Sequence, residues 1–244
     1  MLLILKTIQK KIKNGSTRIS SSNTLQRFDY LVEICKGKRV LHLGCADYPF
    51  TTKKLSMDAL LYEKIAHVAQ VQVGVDNNME GIETLRRLGY KNLYVADLEN
   101  ALEIIPEGEK CFDVVVAGEI IEHLSNPGLF LDSIKKILGD GKLVLTIVNA
   151  YCLFRIVWYL FHLGIEYVHP DHVYYFSIST LKGIAIRHGY TVEDLKFYPI
   201  GRELHNAKGI PWYFWLLNRL SYWPLPFFAD GIMILLSVRR DQGT

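Results

Sequence analysis

Glu119, Glu122 and His123 place two carboxylates and an imidazole within five residues. That set supports two kinds of chemistry. Carboxylate oxygens and an imidazole nitrogen can share a divalent cation. Alternatively, the carboxylates are hydrogen-bonding groups and His123 transfers a proton. A second imidazole group follows in His169-Pro170-Asp171-His172. His172 is a candidate general base, since imidazole titrates near neutral pH; the bland alternative is a loop histidine bonded to backbone. Upstream, Asp76 and Asp97 each close a short apolar run, residues 71–75 and 93–96. A carboxylate at a strand's end can accept hydrogen bonds from ribose hydroxyls. Aspartate there also suits a helix N-cap, as do Asn77 and Asn78, and Asp97 can be a turn residue.

Residues 40–43 read as a short buried strand that breaks on Gly44-Cys45-Ala46. Small residues after a strand leave backbone amides exposed with little side chain in the way. An α/β sheet receives a nucleotide-like cofactor at such carboxyl ends. A single glycine is equally compatible with an ordinary strand-to-helix turn. A complete G-x-G-x-x-G is absent, which argues against a dinucleotide.

The elements that must position these groups alternate. After a basic amphipathic helix (residues 2–13), a polar linker (14–23) and a helix over 24–35, the pattern predicts strands at 40–43, 71–75, 93–96, 112–117 and 142–148. Helices at 55–68, 79–88 and 127–138 separate them. Such alternation implies βαβ units and a mainly parallel sheet. An aromatic-rich stretch, 151–177, interrupts the rhythm and reads as a cap. A helix at 179–188, a strand at 191–198, a helix at 211–222 and a strand at 231–238 close the chain. The expected architecture is α/β: a Rossmann-like, doubly wound, mostly parallel seven-stranded sheet with a small helical and aromatic cap. Residues 1–36 are the N-terminal helices, including a lid helix; residues 37–244 are the cofactor domain, with the cap inserted at about 150–180.

The chain has 244 residues, half of them hydrophobic, and a formal charge of +3. One large single-sheet domain fits that length. The charge is too small to argue for nucleic acid, and no basic face or stacking motif supports it. Four scattered cysteines without a CxxC pair suit a reducing compartment. No secretory signal or spanning helix is expected.

In order, Leu41-His42-Leu43-Gly44-Cys45-Ala46, Asp76, Asp97 and Phe112-Asp113-Val114-Val115…Gly118-Glu119…Glu122-His123 resemble the motifs of class I S-adenosylmethionine (SAM) methyltransferases. The resemblance covers residues 25–148 and extends to the O-methyltransferase-like branch with a Glu-x-x-Glu-His motif. His42 stands where an acidic residue is common, and Ala46 and Tyr48 replace two glycines. The resemblance implies SAM as cofactor, held by Gly44, Cys45, Ala46, Asp76, Asn77, Asp97, Leu98, Gly118 and Glu119. In it, Asp76 takes the ribose, Asp97 the adenine amino group, and Leu98 packs on the ring. Gly118 and Glu119 lie by the methionine end. Two subfamilies use the Glu-x-x-Glu-His letters for a metal and many relatives do not, so no metal is expected. His123 and His172 are the expected catalytic residues. The reading is methyl transfer to an oxygen of a small-molecule, lipid or glycan acceptor; the alternative is a non-catalytic SAM-fold binding subunit. The expected location is cytoplasmic. Residues 2–13 either touch anionic lipid through their lysines or pack on the domain as a lid; the second is slightly favoured.

Overall fold

The computed structural model describes residues 27–99, 105, 111–166, 168–199 and 225–240. The basic segment 2–13, the linker 14–23 and the helix expected at 211–222 lie outside the described residues.

Seven strands form one sheet: β1 Arg39–Leu43, β2 Val71–Asp76, β3 Leu93–Val95, β4 Val114–Gly118, β5 Lys142–Val148, β6 Tyr190–Tyr198 and β7 Gly231–Val238. Their order is β3-β2-β1-β4-β5-β7-β6. All neighbours run parallel except β7, which is antiparallel to both β5 and β6. The order reverses between β1 and β4, which pair Leu43 with Ala117. A reversal opens a crevice at the carboxyl ends of those two strands.

Side chains alternate across the sheet, and each face finds its own helices. Leu41, Leu43, Val115 and Ala117 pack with Phe130, Leu131 and Ile134 of α5 (Pro127–Leu138) and Leu181 of α7 (Ile178–Arg187). Val40, Val114 and Val116 face the other way, onto Leu31 and Cys35 of α1 (Arg27–Cys35) and Ile65 of α3 (Leu61–Ala66). α1 is therefore part of the sheet's packing. Each fully buried leucine here contributes about 1.5–3 kcal/mol.

Local chemistry explains the boundaries. α5 starts where the Asn126 side chain accepts the Leu129 amide at 3.1 Å and Pro127 opens the first turn, and it stops at Gly139. The Ser177 hydroxyl and Thr180 form a reciprocal cap on α7. The continuous helix expected over 55–68 is instead two short ones, α2 (Thr51–Ser56) and α3. Between them Asp58 adopts φ +51°. The reason lies in Leu60 and Leu61: both are buried, but in different clusters, which one helix face cannot serve. α4 is Met79–Arg87, and the cap segment contains α6, Leu153–Phe161. The cap is tied to the sheet by a parallel bridge between Asn149 and Phe176.

Candidate active site

The turns after β1 and β4 flank the crevice, and Asp76 ends the neighbouring strand. Gly44 has φ +64°, and a Cβ there would stand 2.7 Å from Ile120 Cδ1, so a larger residue would be strained and would push Ile120 aside. The amides of this turn are not open. Gly44 and Cys45 donate to the Val75 carbonyl, at 2.8 and 3.4 Å, and Ala46 donates to Asp76 Oδ2 at 2.9 Å. The expectation of exposed amides fails because β2 ends one residue further on and its last groups absorb them.

Asp76 is buried, and its other oxygen accepts the Asn78 amide at 2.9 Å. Helix α4 is capped by Asn78, which accepts the Gly81 amide, so Asp76 is not the cap. Burial pushes its carboxyl upward in pKa, against the amides of Ala46 and Asn78 that favour the charged form. The backbone amides of Ala46, Asn78 and Asn77 do not use every lone pair of the carboxylate, so Asp76 can still accept from a hydroxyl. Asn77 is exposed beside it. Across the crevice mouth Asp97 is exposed and accepts the Glu99 amide, while Leu98 is buried. Glu99 in turn accepts the amides of Ser125 and Asn126, tying the β3 loop to the start of α5.

Gly118 ends β4, and Glu119 follows in the left-handed region at φ +56°, its amide on the Thr146 carbonyl at 2.7 Å. Arg27 reaches over from α1. Its guanidinium passes so close to Gly118 that a Cβ would meet Nη2 at 2.5 Å. Arg27 donates to Glu119 Oε1 at 3.1 Å, and the Tyr198 hydroxyl donates to the same oxygen at 3.2 Å. Burial opposes the Arg27 charge, but Glu119 and the neighbouring groups hold it above its ordinary value. Arg27 and Tyr198 are absent from the sequence reading. The first pairing spans 92 positions and the second 79, and no local pattern marks either residue.

The Glu-x-x-Glu-His segment divides its work. The Glu122 carboxyl is buried and accepts the Val148 amide at 3.3 Å; burial, then Glu119, push it up to about 8. Its backbone carbonyl accepts the amides of Val173 and Tyr174, pinning the cap to the site. His123 is exposed; its Nδ1 lies 3.1 Å from the Asp171 carbonyl. That oxygen only accepts, so Nδ1 is the donor in this contact and Nε2 is left as an acceptor. His172 sits edge-on to His123, ring centroids 4.5 Å apart, and His169 is 5.0 Å from His172. Burial, then the two neighbouring histidines, pull His172 down to about 4. That is below the near-neutral value of a free imidazole. His42 lies apart, buried in β1 against Gln72 and Tyr62.

Do these residues fit a nucleoside with a charged amino-acid tail? Gly44 follows β1 and Gly118 ends β4, packed against Ile120 and the Arg27 guanidinium. Arg27 Nε and Glu122 Oε2 are buried without a hydrogen-bond partner among the described residues. A cation at the β4 end suits a carboxylate, and Asp76 suits a hydroxyl. The donor set fits.

A family model described as a methyltransferase domain matches residues 19–195. The mitochondrial ubiquinone biosynthesis O-methyltransferase of Rattus norvegicus is 27% identical over 175 residues, covering 65% of this chain and 46% of its own length. The ubiquinone biosynthesis O-methyltransferase of Caulobacter sp. (strain K31) is 28% identical over 141 residues, covering 54% and 48%. The chain thus spans about half the length of these curated relatives. Among solved structures, a SAM-dependent methyltransferase from Archaeoglobus fulgidus aligns with a TM-score of 0.56 at 19% identity, over 95% of this chain and 99% of the other. One from Mesorhizobium loti aligns with a TM-score of 0.54 at 13% identity, over 86% and 95%. Both likenesses concern the fold.

Proposed function

This chain belongs to the methyltransferase-domain family, and from that premise we propose that it moves the methyl group of SAM to an oxygen of a small, quinone-like phenolic acceptor. The observation that carries the reading is the placement of Gly44, Asp76 and Glu119 on three adjacent strand ends around the β1–β4 reversal. The names of the curated relatives supply the acceptor class.

When bound, SAM supplies a methyl group on a positively charged sulfur. The chain's own residues do the rest. Asp76 would accept the ribose hydroxyls, and Asp97 and Leu98 would address the adenine. Arg27, which Glu119 holds in place, would pair with the α-carboxylate, and Cys45, Ala46 and Asn77 would line the approach.

His123 is the base. Its Nε2 would take the acceptor's hydroxyl proton, and the Asp171 backbone carbonyl would steady the imidazolium through Nδ1. His172 stays neutral beside it, so no second positive charge opposes that proton. Holding acceptor and cofactor in line is the larger contribution, because orientation turns an encounter into a unimolecular step.

Calorimetry separates the cofactor half of this reading from its rivals. SAM and S-adenosylhomocysteine should bind and NAD should not. Failure of both sulfur ligands to bind the folded protein would sink it. SAM binding without transfer to any catechol would leave the binding-subunit alternative.

A further inference from the structure

We infer that Glu99 is a positioning residue for the adenine end of the cofactor: it sets the Asp97–Leu98 loop by fastening it to the segment that carries His123. This rests on the reading of Asp97 and Leu98 as the adenine contacts. Each polar group of Glu99 is engaged between that loop and α5. Its amide donates to Asp97 Oδ1 at 3.0 Å. Its carboxylate accepts the Ser125 amide on one oxygen and the Asn126 amide on the other, the latter at 3.1 Å. Its carbonyl accepts the Ser133 hydroxyl at 3.3 Å.

The loop needs such a fastening. β3 has three residues and lies at the edge of the sheet beside β2. It has ended before the chain reaches Asp97, which is exposed. Leu98 is buried in the core cluster with Ile121, Leu124 and Phe130. That fixes the depth of the loop but not the direction of the Asp97 carboxylate. The Glu99 amide fixes that direction, and it leaves Oδ2 to accept an exocyclic amino group.

A simple helix cap does not explain the arrangement. α5 already has one: Asn126 Oδ1 accepts the Leu129 amide, and Pro127 has no amide to satisfy. The Ser125 and Asn126 amides lie ahead of the first helical residue, on exposed residues that water can reach. Burial therefore does not require Glu99 there. The same stretch is held from its other side by the cap. The Tyr174 hydroxyl donates to the Ser125 carbonyl at 3.2 Å, and the Glu122 carbonyl accepts the Val173 and Tyr174 amides. Glu99 thus ties a short edge loop to a segment, 122–126, that is already fixed. A carboxylate suits the task, because two oxygens meet two N–H donors and the charge strengthens both bonds. Glutamine would turn a donor toward one of those amides.

The test is calorimetry on the full chain with two ligands that differ at one purine position. S-adenosylhomocysteine carries an amino group where S-inosylhomocysteine carries an oxygen. The wild type should prefer the adenosyl ligand by about tenfold or more, as a charged acceptor facing an amino group should. Glu99→Gln should bring that preference close to parity, mainly by weakening the adenosyl ligand. Asp97→Ala should do the same, and the double variant should lose no more than Asp97→Ala alone, because Glu99 acts through Asp97. Asp76→Ala is the control. Ribose is common to both ligands, so both affinities should fall while the preference persists. Should Glu99→Gln melt too low to titrate, Ser133→Ala releases only the Glu99 carbonyl and should lower the same preference.

A preference that survives Glu99→Gln, or Ser133→Ala in its place, overturns the proposal, whatever happens to the melting temperature. Additive losses in the double variant overturn it too, since Glu99 would then act by a route other than Asp97. A wild type that binds both ligands equally removes Asp97 from the adenine edge and the proposal with it, while the cofactor reading stands. A wild type that binds neither ligand removes the cofactor reading itself.

Discussion

The two sides of the crevice are built differently. On the cofactor side, the turn after β1 is tied to β2 by amides on the Val75 carbonyl and on Asp76. Gly44 is hemmed in by Ile120. Function there sits on backbone positions that few residue types can occupy. On the acceptor side, three imidazoles meet across a surface segment, and the cap is held by Glu122 and Asp171 carbonyls. Those carbonyls would be present with almost any side chain. One side is constrained by residue type; the other depends on where the chain happens to lie.

Breaking the acceptor side alone should have the largest effect. With a catechol as test acceptor, His123→Ala should lower kcat by roughly 100- to 10,000-fold, the usual worth of a positioned base. Calorimetry should find SAM affinity unchanged. A parallel loss of affinity would mean that the two sides are not separable.

The complementary break is Asp76→Ala. It should weaken SAM binding by roughly 1.5–3 kcal/mol, the range for hydrogen bonds to a charged group, and calorimetry reads it directly. Unchanged affinity in a folded variant would move the ribose elsewhere.

A smaller effect sharpens the contrast through pH. Glu122 is raised from 4.5 to about 8, so the folded state holds a proton that the unfolded state releases. That stability is present below pH 4.5 and is lost as pH rises toward 8. His42 and His172 are lowered from 6.5 to about 3 and about 4. Their stability is present above pH 6.5 and is lost as pH falls. Melting temperature should therefore peak near pH 6.5, and Glu122→Gln should flatten the fall on the alkaline side. A variant that retains the wild-type alkaline fall would show that another group carries it.

The smallest expected effect is none. Since no metal is assigned to Glu119, Glu122 and His123, EDTA should leave turnover intact. Activity lost on chelation and restored by Mg²⁺ or Mn²⁺ would turn the acceptor side into a metal site.

The same contrast explains what the amino-acid sequence reveals. The bounds of α5, β5 and β7 are legible because a cap, a proline, a glycine or an uninterrupted apolar run marks them locally. The strand-end positions of Asp76 and Gly118 are legible for the same reason. The break at Asp58 is not, because it answers to where Leu60 and Leu61 are buried. Nor is the Arg27–Glu119–Tyr198 group, which three distant elements assemble. The low pKa of His172 is also hidden, since it arises from burial and from histidines 49 and 3 positions away.

The place of β7 bears on how the protein is made. β7 is synthesised after β6, yet it lies between β5 and β6 and is hydrogen-bonded to both. While residues 231–238 are still inside the ribosome, β5 presents a bare edge and β6 has no strand to join. Bare edges recruit other chains, and pairings that wait on distant segments form slowly. The nascent chain thus passes a window in which five strands are paired and the last two are a hazard. Slower translation before residue 231 would lengthen that window, and a chaperone acting on it has most to gain there.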